Sequence, residues 1–353
     1  MNGCAAGTPD VPRELGRWAR EQAAPLRVTL ELTPFCNFRC LMCYVRLTPD
    51  QAQRQGQLLS AGQWLELARQ AREMGTLYLT LTGGEPLLYP EFWELYEALN
   101  QMGFLITLLS NGSLIDEGAM ERLRRCGMPH AVKLTLYGAS DGAYRRVCGV
   151  EDGFSRVERA ISLLQSAGVP LYLTSTVVRE NAGDLQAMYD FARRKGIPFQ
   201  HSLSVVQSAR GAVNTAAQSR FALADFPQEL SLEALERCRF PTSGAPFGLC
   251  GNYRSALWLT WNGRLQGCAF LNRPSVPWQG DLRSAWKALL DRLEEIQNPA
   301  ACASCRWKAF CQRCPGVLCA ESGDPSHTSP GLCRMAERLY ELYQLRRQQE
   351  GIL

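Results

Sequence analysis

A strand-like run followed by an amphipathic segment recurs six times between residues 27 and 206. The runs are rich in β-branched, leucine and aromatic residues and are bounded by Gly, Pro, Ser or Asn. They are RVTLELT (27–33), TLYLTLTG (76–83), GFLITLLS (103–110), AVKLTLYG (131–138), PLYLTSTVV (170–178) and PFQHSLSVV (198–206). Intervening segments such as 60–75 and 152–168 carry apolar residues at three-and-four spacing and stop at a glycine. The pattern predicts an α/β fold with parallel strands and right-handed crossovers, either an open doubly wound sheet or a barrel.

Three cysteines follow the first predicted strand, in the stretch FCNFRCLMCY of residues 35–44. In both candidate folds, functional residues gather at the carboxyl ends of the strands, which is where Cys36, Cys40 and Cys43 fall. Three thiolates at this spacing suit a cubic iron–sulfur cluster in which one iron has no protein ligand. A structural zinc site needs four ligands, and this loop contains no histidine, so zinc is the weaker alternative.

Composition limits the other function classes. The chain has 353 residues and fifteen cysteines, and its start lacks the pattern of an export signal. Clustered thiols in a reducing compartment bind metal more often than they form disulfides. No apolar run of about 18 residues predicts a membrane span, and a net charge of +4 without basic clusters argues against nucleic acid. We therefore expect a cytoplasmic protein with neither a membrane nor a nucleic-acid partner.

The spacing CxxxCxxC, with the aromatic Tyr44 directly after the last cysteine, resembles the signature of the radical S-adenosylmethionine (SAM) family. The resemblance implies a partial (β/α)6 TIM-like barrel and a [4Fe–4S] cluster on Cys36, Cys40 and Cys43, whose open iron binds SAM. It also implies that an electron from a flavodoxin- or ferredoxin-like donor cleaves SAM to a 5′-deoxyadenosyl radical, which then abstracts hydrogen.

Other residues at strand ends resemble the cofactor-contacting elements of this family. They are Gly83, Gly84, Glu85 and Pro86 of TGGEP, Ser110 and Asn111 of SNG, and Thr135 of KLTLYG. The resemblance implies that the GGEP motif contacts the SAM amino group and that the others lie near the cofactor. Without the resemblance, each element also has a purely structural explanation. The glycines of TGGEP would fit an ordinary turn, SNG would fit a left-handed turn, and Thr135 would fit a cross-strand pair. The arginine that some relatives use for the SAM carboxylate stays unassigned, although Arg145 and Arg146 lie nearby in sequence.

A second cysteine field fills the end of the chain. A hairpin with a turn at Asn262-Gly263 separates Cys250 from Cys268, and CASCRWKAFCQRCPG spans residues 302–316. This layout resembles a SPASM domain, although only two residues separate Cys311 from Cys314 where the usual pattern has three. The resemblance implies two auxiliary [4Fe–4S] clusters, three clusters in all, whereas paired C-x2-C groups alone would suit zinc as well.

The interleaved ligand arrangement of that family assigns the cysteines to two sets. One set is Cys302, Cys305, Cys311 and Cys333, and the other is Cys250, Cys268 and Cys314 with Cys238 as its fourth member. Cys319 or an open iron is the alternative to Cys238. Cys4, Cys126 and Cys148 stay unassigned. The predicted organisation is an N-terminal extension (1–26), a radical SAM partial barrel (27–206), a connecting segment (207–249), and a SPASM domain (250–353) that ends in a helix at about 331–349.

The resemblance fixes the chemistry better than the substrate, because function resides in the site and not in the fold. We expect a maturase that forms a thioether or carbon–carbon crosslink in a ribosomal precursor peptide. The alternatives are a sulfatase-type formylglycine maturase or modification of a small-molecule precursor. The formylglycine group carries an aspartate directly after the cysteine of G-x4-C, and here that position is Ala269. Because only 26 residues precede the first strand, we expect leader recognition by a separate protein or by the barrel itself.

Overall fold

The structure is a computed structural model that describes residues 11–202 and 250–352, together with 205–207, 209–211, 216–220, 232–242 and 244–248. Nine strands in this described part form one sheet in the order β6-β5-β4-β3-β2-β1-β7-β8-β9. The strands are β1 Arg27–Glu31, β2 Tyr78–Thr82, β3 Leu105–Ser110, β4 Ala131–Thr135, β5 Leu171–Thr176, β6 Phe199–Ser202, β7 Ala256–Leu259, β8 Arg264–Gln266 and β9 Val276–Pro277. The six predicted strands are all present and pair in parallel, each with its neighbour in sequence.

Helices connect the parallel strands, as the periodicity predicted. Those described are α1 Val11–Glu21, α2 Pro49–Gln53, α3 Ala61–Glu73, α4 Phe92–Gln101, α5 Glu117–Cys126, α6 Asp141–Cys148, α7 Gly153–Ser166, α8 Leu185–Lys195, α9 Ala216–Ser219, α10 Leu232–Arg237, α11 Leu282–Glu294, α12 Pro315–Ser322 and α13 Pro330–Gln349. Helix α3 shows why these segments fold: Ser60 and Gln63 form a capping box at its start. Its apolar stripe, which includes Trp64 and Leu67, is buried against the sheet.

The two faces of the parallel sheet differ in chemistry. Side chains such as Val28, Leu79 and Val132 are fully buried beneath the helices and form the main core. Alternate positions point to the opposite face, where residues such as Thr80 and Thr135 are only half-buried. We call this second face the concave face. Helices therefore cover one side of the six parallel strands, which is the arrangement of a barrel wall and not of a doubly wound sheet.

The C-terminal region continues the same sheet. Strand β7 pairs in parallel with β1, and β8 and β9 follow it in antiparallel order. The predicted hairpin turn at Asn262-Gly263 is confirmed, with Gly263 at φ +75°, and the predicted final helix is α13. Helix α13 packs with Leu235 of α10 around a small core of its own. The domain boundaries given above stay a prediction. No helix of the described residues combines the length and the apolar character that a membrane span requires.

Candidate active site at the carboxyl ends of the strands

The loop that carries Cys36, Cys40 and Cys43 follows β1 and is tied to helix α6. The backbone N–H of Arg39 donates to the carbonyl of Cys148 at 2.9 Å, and Leu41 donates to Val147 at 3.0 Å. The buried ring of Phe38 meets Tyr144 edge to face, with 6.1 Å between the ring centroids. These contacts hold the loop in one position over the strand ends.

The fold brings the three predicted thiols together. The Cys36 sulfur accepts a hydrogen bond from Phe38 N at 3.4 Å, and Cys43 accepts one from Arg46 N at 3.3 Å. Burial, together with the charges of the neighbouring cysteines, raises the pKa of Cys36 to about 12 and that of Cys43 to about 11. Thiolates crowded in this way need a compensating positive charge, which bound metal supplies. The donor set therefore fits an iron–sulfur cluster.

A single metal ion would require its ligands to converge on one point. In the part of the chain that the structure describes, no three or more His, Cys, Asp or Glu side chains converge in this way. A four-iron cluster differs because each thiolate binds a different iron atom. The assignment of Cys36, Cys40 and Cys43 as cluster ligands thus stays a prediction, supported by their proximity.

Cys148, which has no assigned role from the sequence, contacts the cysteine loop. It is fully buried at the end of α6, and its thiol hydrogen-bonds to Cys40, which lowers the pKa of Cys40. Tyr137, which follows β4, is a second hydrogen-bond partner of Cys40. Nothing in the spacing of the sequence signals this contact, because it depends on how α6 packs against the loop.

The two glycines of GGEP let the turn after β2 approach the cysteine loop. Gly84 N donates to Thr33 O at 2.7 Å, and Glu85 N donates to Phe35 O at 2.8 Å. A Cβ atom on Gly84 would lie 2.3 Å from Phe35 O, and one on Gly83 would lie 2.6 Å from Thr33 O. The expected contact of this motif with the SAM amino group stays a prediction. The close approach that the structure shows is between two loops of the chain itself.

We expect Gly84→Ala to disturb the cysteine loop. The added methyl group overlaps a backbone carbonyl, so the two loops must separate, at a cost of about 1–3 kcal/mol. Thermal unfolding and iron content per chain after anaerobic reconstitution measure the two effects. Gly183→Ala is the matched control, because a Cβ atom there meets nothing within 4 Å. Equal iron content and equal stability in both variants would contradict the packing role of Gly84.

Glu85 is fully buried and links the ends of β2 and β3. Its carboxylate accepts hydrogen bonds from the Ser110 hydroxyl at 2.9 Å, from Asn111 N at 2.9 Å and from Leu87 N at 3.3 Å. Asn111 in turn donates from Nδ2 to Asn37 Oδ1 at 2.9 Å and lies 3.6 Å from the Cys36 sulfur. Glu85 therefore orients the SNG turn, and that turn supports the first cysteine.

Burial raises the pKa of Glu85 to about 7, although its hydrogen bonds act in the opposite direction. The folded state consequently binds this proton more tightly than the unfolded chain does. The resulting stabilisation is complete below pH ~4.5 and is lost as the pH rises through about 7.

We therefore expect the stability of the wild type relative to Glu85→Gln to fall by about 3 kcal/mol between pH 4.5 and pH 7. Denaturant unfolding of both proteins across this range measures the difference. Glu97→Gln, which replaces an exposed glutamate of α4, is the control for the general effect of pH. A difference between wild type and Glu85→Gln that does not change with pH would contradict the raised pKa.

The remaining predicted residues near the first thiols also lie at strand ends. Pro86 is buried and begins a short 3-10 helix, Pro86–Leu88. Thr135 is half-buried on the concave face at the end of β4. Arg145 and Arg146 are exposed and pair with Glu151 and Asp184.

In the second cysteine field, several thiols of each predicted set lie close enough to affect one another's pKa. In the set that also contains Cys305, burial raises the pKa values of Cys302, Cys311 and Cys333. The charges of neighbouring cysteines in the same set raise these pKa values further. In the other set, the charges of Cys314 and Cys250 add to the effect of burial on Cys268, whose pKa rises to about 11. The proximity of the thiols within each set supports the predicted assignment.

Gly316 lies close to the thiols of Cys268 and Cys314, which belong to the same predicted ligand set. A Cβ atom there would be 2.9 Å from the Cys268 sulfur and 3.7 Å from the Cys314 sulfur. Cys319 instead donates to Asn272 Oδ1 at 3.2 Å from the buried face of α12. Cys238 is half-buried just after α10, and its role as the fourth ligand stays a prediction.

A buried ion pair connects the two cysteine fields. Arg210 binds Glu31, the last residue of β1, with 2.6 Å between Nη2 and Oε2 and side-chain exposures of 4% and 0%. Trp258 Nε1 also donates to Glu31 Oε2 at 2.8 Å, and Arg210 Nη1 donates to Ala269 O at 3.3 Å. The pair therefore joins β1, β7 and the loop after Cys268. The sequence does not single out Arg210, because it belongs to no motif in the predicted connecting segment.

The aromatic residue after the third cysteine makes a second connection. Tyr44 is half-buried, and its ring meets Phe270 edge to face with 5.0 Å between the ring centroids. Ala209 N also donates to Tyr44 O at 3.1 Å. Since Phe270 lies two residues after Cys268, this contact packs the first cysteine loop directly against the second field.

The chain is similar to known proteins in sequence. Residues 30–192 match the model of the Radical SAM superfamily. A PqqA peptide cyclase of Gluconobacter oxydans (strain 621H) is 29% identical over 172 residues, which are 49% of this chain and 47% of that protein. Mycofactocin maturase MftC of Mycobacterium ulcerans (strain Agy99) is 28% identical over 319 residues, covering 84% of this chain and 85% of that protein. The chain spans about half the length of the PqqA peptide cyclases that it matches.

Solved structures share the fold. Streptococcus suis SuiB bound to S-adenosylmethionine has a TM-score of 0.63 at 17% identity, covering 94% of this chain and 83% of that chain. Native anSMEcpe with bound AdoMet has a TM-score of 0.62 at 17% identity, covering 91% of this chain and 98% of that chain. At such identities the likeness concerns the fold, and it confirms the predicted α/β partial barrel. The cysteine loop and the GGEP and SNG turns all lie within residues 30–192, the part of this chain that matches the Radical SAM superfamily.

Proposed function

We propose that this chain is a radical SAM peptide maturase with a SPASM-type C-terminal domain, which forms a thioether or carbon–carbon crosslink in a ribosomal precursor peptide. The observation that carries the proposal is the cysteine loop at the strand ends, packed through Tyr44 and Phe270 against a second cysteine field. The names of the sequence relatives, a peptide cyclase and a mycofactocin maturase, support a peptide substrate.

Cys36, Cys40 and Cys43 would hold the SAM-binding [4Fe–4S] cluster. When bound, the cluster and SAM together would supply a 5′-deoxyadenosyl radical for hydrogen abstraction from an unactivated carbon. The chain's own residues would position that chemistry. Asn111 lies against the Cys36 sulfur and is held by Glu85, while Phe38 and Met42 are buried within the cysteine loop and keep water from its inner side.

The second field would hold two auxiliary [4Fe–4S] clusters. The sets are Cys302, Cys305, Cys311 and Cys333, and Cys250, Cys268 and Cys314 with Cys238. Their role would be to accept an electron from the peptide after hydrogen abstraction or to place the peptide. A flavodoxin- or ferredoxin-like protein would reduce the first site, and a separate recognition protein or the barrel itself would bind the leader peptide.

The formylglycine alternative lacks its expected proton acceptor in this chain. Ala269, which follows Cys268, is buried, has no ionisable side chain, and offers its carbonyl to Arg210. A crosslinking reaction is therefore the better match. Modification of a small-molecule precursor differs from a crosslinking reaction in its substrate, so a comparison of peptides with small molecules distinguishes the two.

The test begins with protein reconstituted anaerobically and treated with dithionite and SAM. We expect 5′-deoxyadenosine by mass spectrometry, and a mass loss of about two hydrogens in a precursor peptide that is a true substrate. Cys302→Ala should keep some 5′-deoxyadenosine formation while losing the crosslink. Protein with full iron occupancy that forms no 5′-deoxyadenosine would overturn the proposal. Turnover that modifies only small molecules would overturn the peptide substrate.

A further inference from the structure

The concave face carries one lysine in the middle of the barrel wall. On β4, Val132 and Leu134 are fully buried against the helices, so Lys133 between them points to the opposite face. The strand register places Lys133 between Leu109 of β3 and Tyr172 of β5. All three side chains are at least partly exposed, which means that this row lines an open surface and not a packed layer.

Among the residues that the structure describes, no carboxylate neutralises Lys133, and none forms a hydrogen bond or an ion pair with its ammonium group. Of the described concave-face positions on β1 to β6, Glu31 alone carries a carboxylate, and Arg210 already pairs with it. This part of the concave face therefore carries a positive charge that no described carboxylate balances.

Tyr172 gives this surface an apolar component. Its side chain is 48% exposed, although it lies on the concave side of a central strand and not on the outer surface of a helix. An exposed aromatic ring beside an unpaired ammonium group forms a recognition site for a ligand with an apolar part and a carboxylate. A peptide segment that carries an acidic side chain has this chemistry.

We propose that Lys133 binds a side-chain carboxylate of the peptide substrate and that Tyr172 packs against the same peptide segment. This inference rests on the proposed peptide-maturase function and names its substrate class: a peptide with Asp or Glu close to the modified residue. The lysine would thereby set the register of the peptide in the barrel.

The position of Lys133 in the strand favours the peptide over SAM as the source of the carboxylate. The cysteine loop, the GGEP turn and the SNG turn all follow strand ends, and SAM would lie beside them. Thr135 and Thr174 form the row nearest those ends at this point of the sheet. Lys133 lies two residues deeper in the same strand, on the far side of that row from the cysteine loop.

The test measures binding on the full, reconstituted chain in the presence of SAM. The probes are two pools of capped peptides, each with a fixed Tyr, that differ only in Glu or Gln at one neighbouring position; capping removes the terminal carboxylates. We expect the wild type to retain the Glu pool about tenfold more tightly than the Gln pool. Lys133→Gln should abolish this preference, Lys133→Arg should retain it, and Lys133→Glu should favour a matched Lys pool.

Two further measurements separate the possible outcomes. Lys287→Gln removes an exposed lysine of α11 and should keep the preference for the Glu pool, while SAM affinity should be unchanged in Lys133→Gln. A preference that survives in Lys133→Gln, or one that is absent from the wild type, overturns the inference. Loss of SAM affinity with an intact peptide preference assigns the carboxylate to SAM and overturns it as well. Absence of 5′-deoxyadenosine would count against the proposed function. The preference for the Glu pool would then still report carboxylate binding by Lys133.

Discussion

Cys36→Ala is expected to abolish formation of 5′-deoxyadenosine. Cys36 is one of three thiols that the fold crowds together at the end of β1, and its sulfur also contacts Asn111. With one thiolate missing, the remaining two offer too few ligands for a stable cluster. Removing a residue that only hydrogen-bonds to a metal ligand already lowers metal affinity or activity about 10- to 100-fold. Removing a ligand itself should therefore lower the activity by more than about 100-fold. Mass spectrometry of 5′-deoxyadenosine under dithionite and SAM measures it.

Cys126→Ala provides the matched comparison. Cys126 is a buried thiol on α5, outside the three predicted ligand sets, so its loss removes sulfur without removing a predicted ligand. Iron and sulfide analysis should show one cluster fewer in Cys36→Ala and the full content in Cys126→Ala. If Cys36→Ala retained the rate of the wild type, the loop would have to be structural and the assignment of its cysteines would be wrong.

The parallel strands were predictable because each corresponds to a short pattern of neighbouring residues in the sequence. Strand runs such as 27–33 and helix signals such as the Ser60 capping box depend on neighbouring residues alone. The carboxyl ends of parallel strands must then meet at one edge, so the grouping of Cys36, Glu85 and Asn111 follows from the chain order. The order β1-β7 does not follow in this way. Strand β7 lies more than 200 residues from its partner in the chain, and no local signal records that pairing.

The roles of individual residues were harder to predict than their location. The contact of GGEP with SAM stays a prediction, and the motif gives no sign that the missing side chains of its glycines make room for Thr33 O and Phe35 O. Nor does it indicate that the Glu85 carboxylate accepts hydrogen bonds from Ser110 and Asn111 as well as from Leu87 nearby. Thr33, Ser110 and Asn111 lie in other loops of the chain, so these contacts depend on tertiary packing that a motif does not specify.

Arg210→Met is expected to destabilise the protein by about 3–5 kcal/mol, because it leaves the buried carboxylate of Glu31 without its charged partner. Trp258 would still donate to Glu31, but one neutral donor does not replace an ion pair. The free energy of unfolding from denaturant titration measures the effect. Arg69→Met, which removes an arginine from an exposed pair with Glu66, is the control and should change little.

The double variant Glu31→Leu/Arg210→Met decides whether the missing charge is the cause. Removing both partners leaves no buried ion, so this variant should be more stable than Arg210→Met alone. It should still bind less iron in the second cysteine field, because Arg210 also holds Ala269 O beside Cys268. A double variant as unstable as Arg210→Met would mean that the packing of the two side chains dominates. Iron content equal to that of the wild type would mean that the Cys268 loop keeps its position without Arg210.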